Sequence, residues 1–343
     1  MSAATLLPPD APARASLRCP HCRGRLQHDE GGATCAACGR GYVRHHGILD
    51  LRVFPDPHLG LDEDRDRADR VAAALDSTAL PDLLRHYWSL SETTPALLRA
   101  VFVRGALRAE TRARMLLDRM EADGVPLARS RVLDVGSGTG AFLAEAYERV
   151  GEAVGLDIAL RWLQVSRRRF LDRGQPAPAL VCACAERLPF ADGEFDLVVS
   201  TATLEFTRDA DRVFAECARV LRPGGRMYLS TVNRFSLAPE PHVRLWGVGW
   251  LPRSWQAGYA RWRGRGDFSR VRLLSRGELD ACAARHFAGR RFEPPPVPDD
   301  LLPELSGRLR LGVRAYTTLR RWAPGRALLR QVGPEWDVML SKS

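Results

Sequence analysis

The chain has 343 residues, 45% hydrophobic and 27% charged, ordinary values for a globular protein holding one large unit and one small one. No uninterrupted apolar stretch approaches the roughly 20 residues of a membrane-spanning helix. The formal net charge is +10, but of the 51 basic residues only Lys342 is lysine; so general an arginine bias permits an RNA partner and does not demand one.

The first residues lack the basic start and apolar block of a secretory signal, so a cytoplasmic protein is expected, with a disordered lead-in over 1–15. Cys19-Pro-His-Cys22 and Cys35-Ala-Ala-Cys38 are two C-x-x-C pairs separated by twelve residues. In a reducing compartment, four thiolates so spaced read as a structural Zn2+ site on a short hairpin, with redox pairs as the alternative. This unit is expected over residues 16–53. His21, His45 and His46 fall outside the ligand set and are expected at the surface. Pro55 and Pro57 mark a linker, taken as 54–64. The mixed-charge run from Asp62 to Arg70 reads as the solvated start of a helix.

Residues 80–87 and 95–120 read as helices, the second with Leu98, Val101, Phe102, Leu116, Leu117 and Met120 at helical spacing. With the run from 65 they form an expected cover (65–122) ahead of the core. His86, Tyr87 and Trp88 are candidate lid contacts, against a packing role. Arg131 to Val135 is a short β-branched strand leading into Gly136, Gly138 and Gly140, and a helix follows from Ala141. Strand, glycine turn and helix bring bare backbone to a ligand at the carboxyl end of a parallel strand, although the glycines also suit packing alone. The G-x-x-G spacing that holds a pyrophosphate is missing. The pattern therefore suits a nucleoside without phosphates, such as S-adenosylmethionine. Asp157, ending the next strand, is placed for the ribose hydroxyls, and Asp134 for an ammonium group.

Further on come AERLPFADGEFDLVVS (185–200) and RVLRPGG (219–225). With VLDVGSGTG and GLD, in that order, they resemble the class I S-adenosylmethionine-dependent methyltransferases, most closely the ubiquinone and menaquinone branch. The resemblance covers roughly 130–235. It implies an α/β fold, a seven-stranded Rossmann-like sheet with helices on both faces, and a core at 130–232. It also implies cofactor contacts from Asp134, Gly136, Ser137, Gly138, Gly140, Asp157, Ile158, Cys184, Ala185, Glu186 and Thr201. Two departures stand out. Cys184 replaces the aspartate that in relatives accepts from the adenine amino group, and Phe206 replaces a histidine after Glu205. The cysteine unit resembles the small zinc-ribbon proteins that bind and activate RNA and protein methyltransferases, which implies a protein partner as one option.

The closing elements are a helix over 209–221, a strand over 226–232, a capping box at Ser275–Glu278, and strands near 287–292 and 336–340. A helical, basic insertion is expected over 299–330. Residues 233–270 are too long for a simple connection. Their four tryptophans fit an acceptor cover, a membrane or nucleic-acid patch, or a satellite core. Glu205, Glu240 and His242, on loops after the fourth and fifth strands, are the candidate acid–base residues. The leading expectation is methyl transfer to a small molecule, quinone-like, aromatic or a specialised metabolite. An rRNA or tRNA base methyltransferase is the alternative, and a catalytically silent cofactor-binding scaffold a third reading.

Overall fold

A computed structural model of the chain describes residues 17–91, 94–176, 179–298 and 307–343. The lead-in at 1–15 and the first part of the insertion at 299–330 lie outside the described residues. Four short strands come first: β1 (Leu26–His28), β2 (Gly32–Cys35), β3 (Gly41–His45) and β4 (Ile48–Asp50). Three helices follow, α1 (Leu61–Ala73), α2 (Leu80–Ser89) and α3 (Ala96–Ala122). The alternating core is β5 (Arg131–Val135), α4 (Ala141–Ala146), β6 (Glu152–Asp157), α5 (Leu160–Asp172), β7 (Ala179–Cys182), β8 (Phe195–Thr201), α6 (Ala210–Val220) and β9 (Leu221–Val232). The chain closes with α7 (Arg253–Trp262), α8 (Arg276–Ala284), β10 (Gly289–Glu293), α9 (Gly307–Arg320), α10 (Ala323–Val332) and β11 (Glu335–Ser341).

One sheet joins all eleven strands, in the order β1-β2-β3-β4-β7-β6-β5-β8-β9-β11-β10. The expected count of seven is corrected here. β5 to β11 supply seven strands, and the N-terminal unit adds four. The junction is β4, antiparallel to β3 and parallel to β7, with Leu49 opposite Val181 and Asp50 opposite Cys182. A bare β7 edge would expose unpaired backbone groups, and β4 covers it. The cysteine unit is thus an extension of the large sheet.

Local chemistry explains the elements. β5, β6 and β8 are apolar and β-branched because helices cover both faces, and Val132, Leu133, Val154, Val198 and Val199 are fully buried. α8 opens on the expected capping box, Ser275 accepting from the Glu278 amide while the Glu278 carboxylate accepts from the Ser275 amide. The stretch taken as a linker is ordered into the fold. α1 begins at Leu61 within it, and Asp56 is buried.

The expected solvated face at 62–70 needs the same correction, because Asp64 is completely buried. Its carboxylate accepts from Arg52 Nη1 (2.6 Å), from Arg161 Nη1 and from the Leu160 amide (3.0 Å). Arg52 also forks onto Asp50, and Arg161 reaches Asp56 and the Tyr87 hydroxyl. Charge alternation alone does not tell a solvated helix from one that lends a single acid to a buried ion network. Tyr87 and Trp88, candidate lid contacts, instead stack with Trp162. That is packing.

Candidate functional site

The carboxyl end of β5 builds the first wall. Gly136 has φ +78°, and a Cβ there would meet the Thr203 hydroxyl at 2.0 Å, so this glycine is required for packing. Gly138, at φ +50°, has only the Gly136 carbonyl within 4 Å of a built Cβ, at 3.9 Å. Its outward side is open. The bend therefore turns one closed face to the protein and one bare face outward.

Two buried acids flank that opening. Asp157 accepts from the Gly138 amide and the Ala159 amide, both at 2.8 Å, which fixes its carboxylate beneath the turn and leaves lone pairs for further donors. Burial pushes its pKa up to about 6, with those two hydrogen bonds opposing the rise. Asp134 is more isolated. Its Oδ1 has no hydrogen-bond partner, and burial, then the neighbouring Asp157 charge, raises it to about 8. Ser137 Oγ is likewise buried without a partner. Unpaired buried polar atoms are costly, and here they gather on a single glycine turn.

The remaining expected contacts divide. The Ile158 carbonyl accepts from Arg52 Nη1 at 3.1 Å, tying the residue after Asp157 to the N-terminal unit. Glu186 is engaged within the protein, accepting from the Arg208 amide at 2.7 Å. The Thr201 carbonyl accepts from the Thr203 hydroxyl. Cys184 is turned toward the protein. It is fully buried and its thiol is directed at the Phe54 carbonyl, 3.6 Å away. Ala185 is buried beside it.

Residues 54–58 run as a strap along the site, which sequence reasoning missed. Phe54 lies against Cys184 and under the Arg208 guanidinium (4.1 Å). Arg208 also donates to the Pro55 carbonyl, and Arg270 to that of Pro57. Asp56 caps the amides of His58 and Leu59. The His58 ring meets Phe206 edge-on at 5.4 Å, and Phe206 in turn meets His242 at 4.9 Å. The two prolines were the only signal, and they argue equally for a free linker.

Glu205, Glu240 and His242 come together. His242 Nδ1 is hydrogen-bonded to Glu240, and Nε2 lies 3.8 Å from Glu205 Oε1. Glu205 Oε2 accepts from the Thr231 hydroxyl, while Oε1 has no hydrogen bond. Burial raises the Glu205 pKa, with the His242 charge opposing. Burial works against a charge on His242, yet the Glu240 hydrogen bond and the charges of both glutamates outweigh it and raise its pKa. A carboxylate faces the imidazole at each nitrogen, which favours its protonated form. His242 is thus engaged with Glu240, and Glu205 Oε1 is the buried carboxylate oxygen of the cluster without a hydrogen bond.

At the other end of the sheet the sulfurs of Cys19, Cys22, Cys35 and Cys38 all lie within 4.8 Å of one another, with Cys19–Cys38 at 3.7 Å and Cys22–Cys35 at 3.5 Å. Four sulfurs about 2.3 Å from one tetrahedral zinc would be about 3.8 Å apart. The donor set fits that ion.

Comparison with known proteins matches residues 133–229 to the family model described as a methyltransferase domain. A malonyl-[acyl-carrier protein] O-methyltransferase of Laribacter hongkongensis is 39% identical over 154 residues, 41% of this chain and 52% of that one. A bifunctional biotin-biosynthesis protein of Cellvibrio japonicus is 37% identical over 141 residues, 41% of this chain and 24% of that one. A ubiquinone/menaquinone biosynthesis C-methyltransferase of Burkholderia mallei is 39% identical over 121 residues, 34% of this chain and 48% of that one. A solved S-adenosylmethionine-dependent methyltransferase of Thermotoga maritima is 19% identical, covering 71% of this chain and 96% of that one at a TM-score of 0.43. The chain spans about half, or less, of the length of these curated relatives. Residues 133–229 are thus the part of the chain that is similar to known methyltransferase domains.

Proposed function

We propose that this chain transfers the methyl group of S-adenosylmethionine to a small-molecule acceptor. The observation that carries the reading is the open face of Gly138, flanked by the unpartnered Asp134 Oδ1 and Ser137 Oγ and by the fixed Asp157 carboxylate. These fit the donor's polar groups: Asp157 the ribose hydroxyls, Asp134 the ammonium, and the Ala185 amide the adenine ring. When bound, the cofactor supplies an electrophilic methyl carbon. The protein's own work is to align the acceptor with that carbon and keep water out.

Glu205 Oε1 is the atom at which an acceptor hydroxyl or amine would leave its proton. Burial makes that carboxylate a stronger base than an exposed one. Glu240 and His242 are positioning residues, because Glu240 orients the imidazole through Nδ1 and the ring faces Glu205 across 3.8 Å. We further infer a structural Zn2+ held by Cys19, Cys22, Cys35 and Cys38, bracing the strands that extend the sheet to β7.

Titration calorimetry with S-adenosylhomocysteine tests the cofactor reading, and the absence of any uptake by the folded chain overturns it. Methyl-labelled cofactor with separated lysate fractions then tests the acceptor. Label in small molecules supports the proposal. Label confined to RNA favours a base methyltransferase, and label nowhere favours a silent scaffold. Zinc well below one equivalent by elemental analysis removes the metal assignment.

A further inference from the structure

The insertion between β9 and α8 folds around a small core of its own that includes Val243, Leu245, Val248, Ala260 and Phe268. Its largest apolar side chains are left outside that core. Trp246, Trp250, Trp255 and Trp262 are 64%, 49%, 65% and 77% exposed, and Leu237 is 57% exposed. A single exposed apolar residue needs no explanation, but a group of five within one insertion does.

The arrangement is ordered. On α7, Trp255 and Trp262 stand seven residues apart and so share one face, while Gln256 and Ala260 turn inward. The indole N–H of Trp246 donates to the Leu237 carbonyl and that of Trp250 to the Ser236 carbonyl. Both rings are thereby fixed with their polar edges satisfied, leaving apolar surface outward. From 237 to 270 the sequence holds six arginines (244, 253, 261, 263, 265 and 270) and two acids, Glu240 and Asp267. Glu240 is buried against His242, which leaves Asp267 as the acid at the surface.

We propose that this face docks on an anionic membrane surface, with the indoles at the headgroup–acyl boundary and the arginines against lipid phosphates. Amphipathic segments that pair tryptophan and leucine with a basic rim bind in this way. The occupant is peripheral, since no helix among the described residues is long and apolar enough to cross a membrane. A nucleic-acid strand fits less well. The Trp250 ring already packs on Phe235 and the Trp262 ring on Tyr259, which takes part of each ring's surface, and Leu237 offers a base no stacking plane. The same insertion carries Glu240 and His242, so docking would hold the segment bearing those residues at the lipid. The inference rests on the surface alone and stands apart from the methyl-transfer reading.

The test is vesicle co-sedimentation of the full chain, with S-adenosylhomocysteine calorimetry reporting the cofactor site separately. Pelleting with phosphatidylcholine vesicles containing phosphatidylglycerol is expected, with weaker pelleting on phosphatidylcholine alone. The double variant Trp255→Ser/Trp262→Ser should lower partitioning about tenfold or more. Should that variant misfold, Arg261→Glu/Arg263→Glu decides, by losing the preference for anionic lipid while the tryptophans remain. Undiminished pelleting of both variants, no pelleting on either vesicle, or capture by single-stranded RNA in place of vesicles overturns the proposal.

Discussion

The Cys184 thiol is directed at the Phe54 carbonyl, 3.6 Å away, joining the strand end expected to face adenine to the strap from the N-terminal unit. Restoring an aspartate by Cys184→Asp would set a carboxylate against a carbonyl oxygen at a fully buried position. We expect a loss of about 1–3 kcal/mol in stability and no gain in S-adenosylhomocysteine affinity. Cys184→Ser, which keeps a donor, should sit between. Thermal denaturation and calorimetry on the two variants check this, and tighter binding by the aspartate variant would count against the contact.

Asp134 gives the site a pH dependence. Its folded pKa, about 8, lies above the ordinary 3.8. A carboxyl group so raised favours the folded state fully below its unfolded value, and that contribution is lost as pH climbs toward 8. Asp134→Asn should therefore be more stable than the parent at pH 8 and closer to it at pH 4. An ammonium partner favours the ionised acid, so S-adenosylhomocysteine should bind more tightly from pH 6 to 8 with release of a proton. Calorimetry in buffers of different ionisation enthalpy reads that release, and a flat profile would remove Asp134 from the ammonium role.

The glycine turn separates packing from binding. Gly136→Ala drives a methyl group into Thr203 and should cost several kcal/mol in stability, as overpacked strained sites do. Gly138→Ala meets open space, with a backbone penalty of roughly 1–2 kcal/mol. It should fold and bind S-adenosylhomocysteine at least tenfold more weakly, since the methyl group fills the ligand's side. Unaltered affinity in that variant would mean the ligand lies elsewhere.

Arg52 is the buried hinge of the ion network, contacting Asp50, Asp64 and the Ile158 carbonyl. Arg52→Met leaves Asp50 with Arg65, and Asp64 with Arg161 and the Leu160 amide, each short of one buried cation, and should cost about 3 kcal/mol. Weaker cofactor binding should accompany it, because Ile158 follows Asp157 directly. Denaturant melts and calorimetry measure the two effects independently.

Metal removal should reach the cofactor site as well. β4 pairs with β7, and the strap leaves β4 toward Cys184 and His58. Chelation that extracts zinc is expected to weaken S-adenosylhomocysteine binding several-fold, restored on adding Zn2+. Extraction with no change in affinity would make the cysteine unit a separate appendage.

The order of core elements was legible in the sequence because each depends on local chemistry. β-branched runs, the glycine turn after Val135, the Ser275–Glu278 box and the C-x-x-C pairs describe contacts within a few residues of one another. The capping box and the strand at 131–135 appear as expected. Tertiary structure alone decided what depends on partners distant in the chain. Asp64 looks like any acid on a charged helix until Arg52 and Arg161 converge on it, 12 and 97 residues away. Ile48 to Asp50 looks like a hairpin end until β7 offers an open edge 130 residues later. Cys184 faces the strap, and four tryptophans face outward, because burial is assigned by the assembled core, and no local pattern encodes which side of a residue that core will occupy.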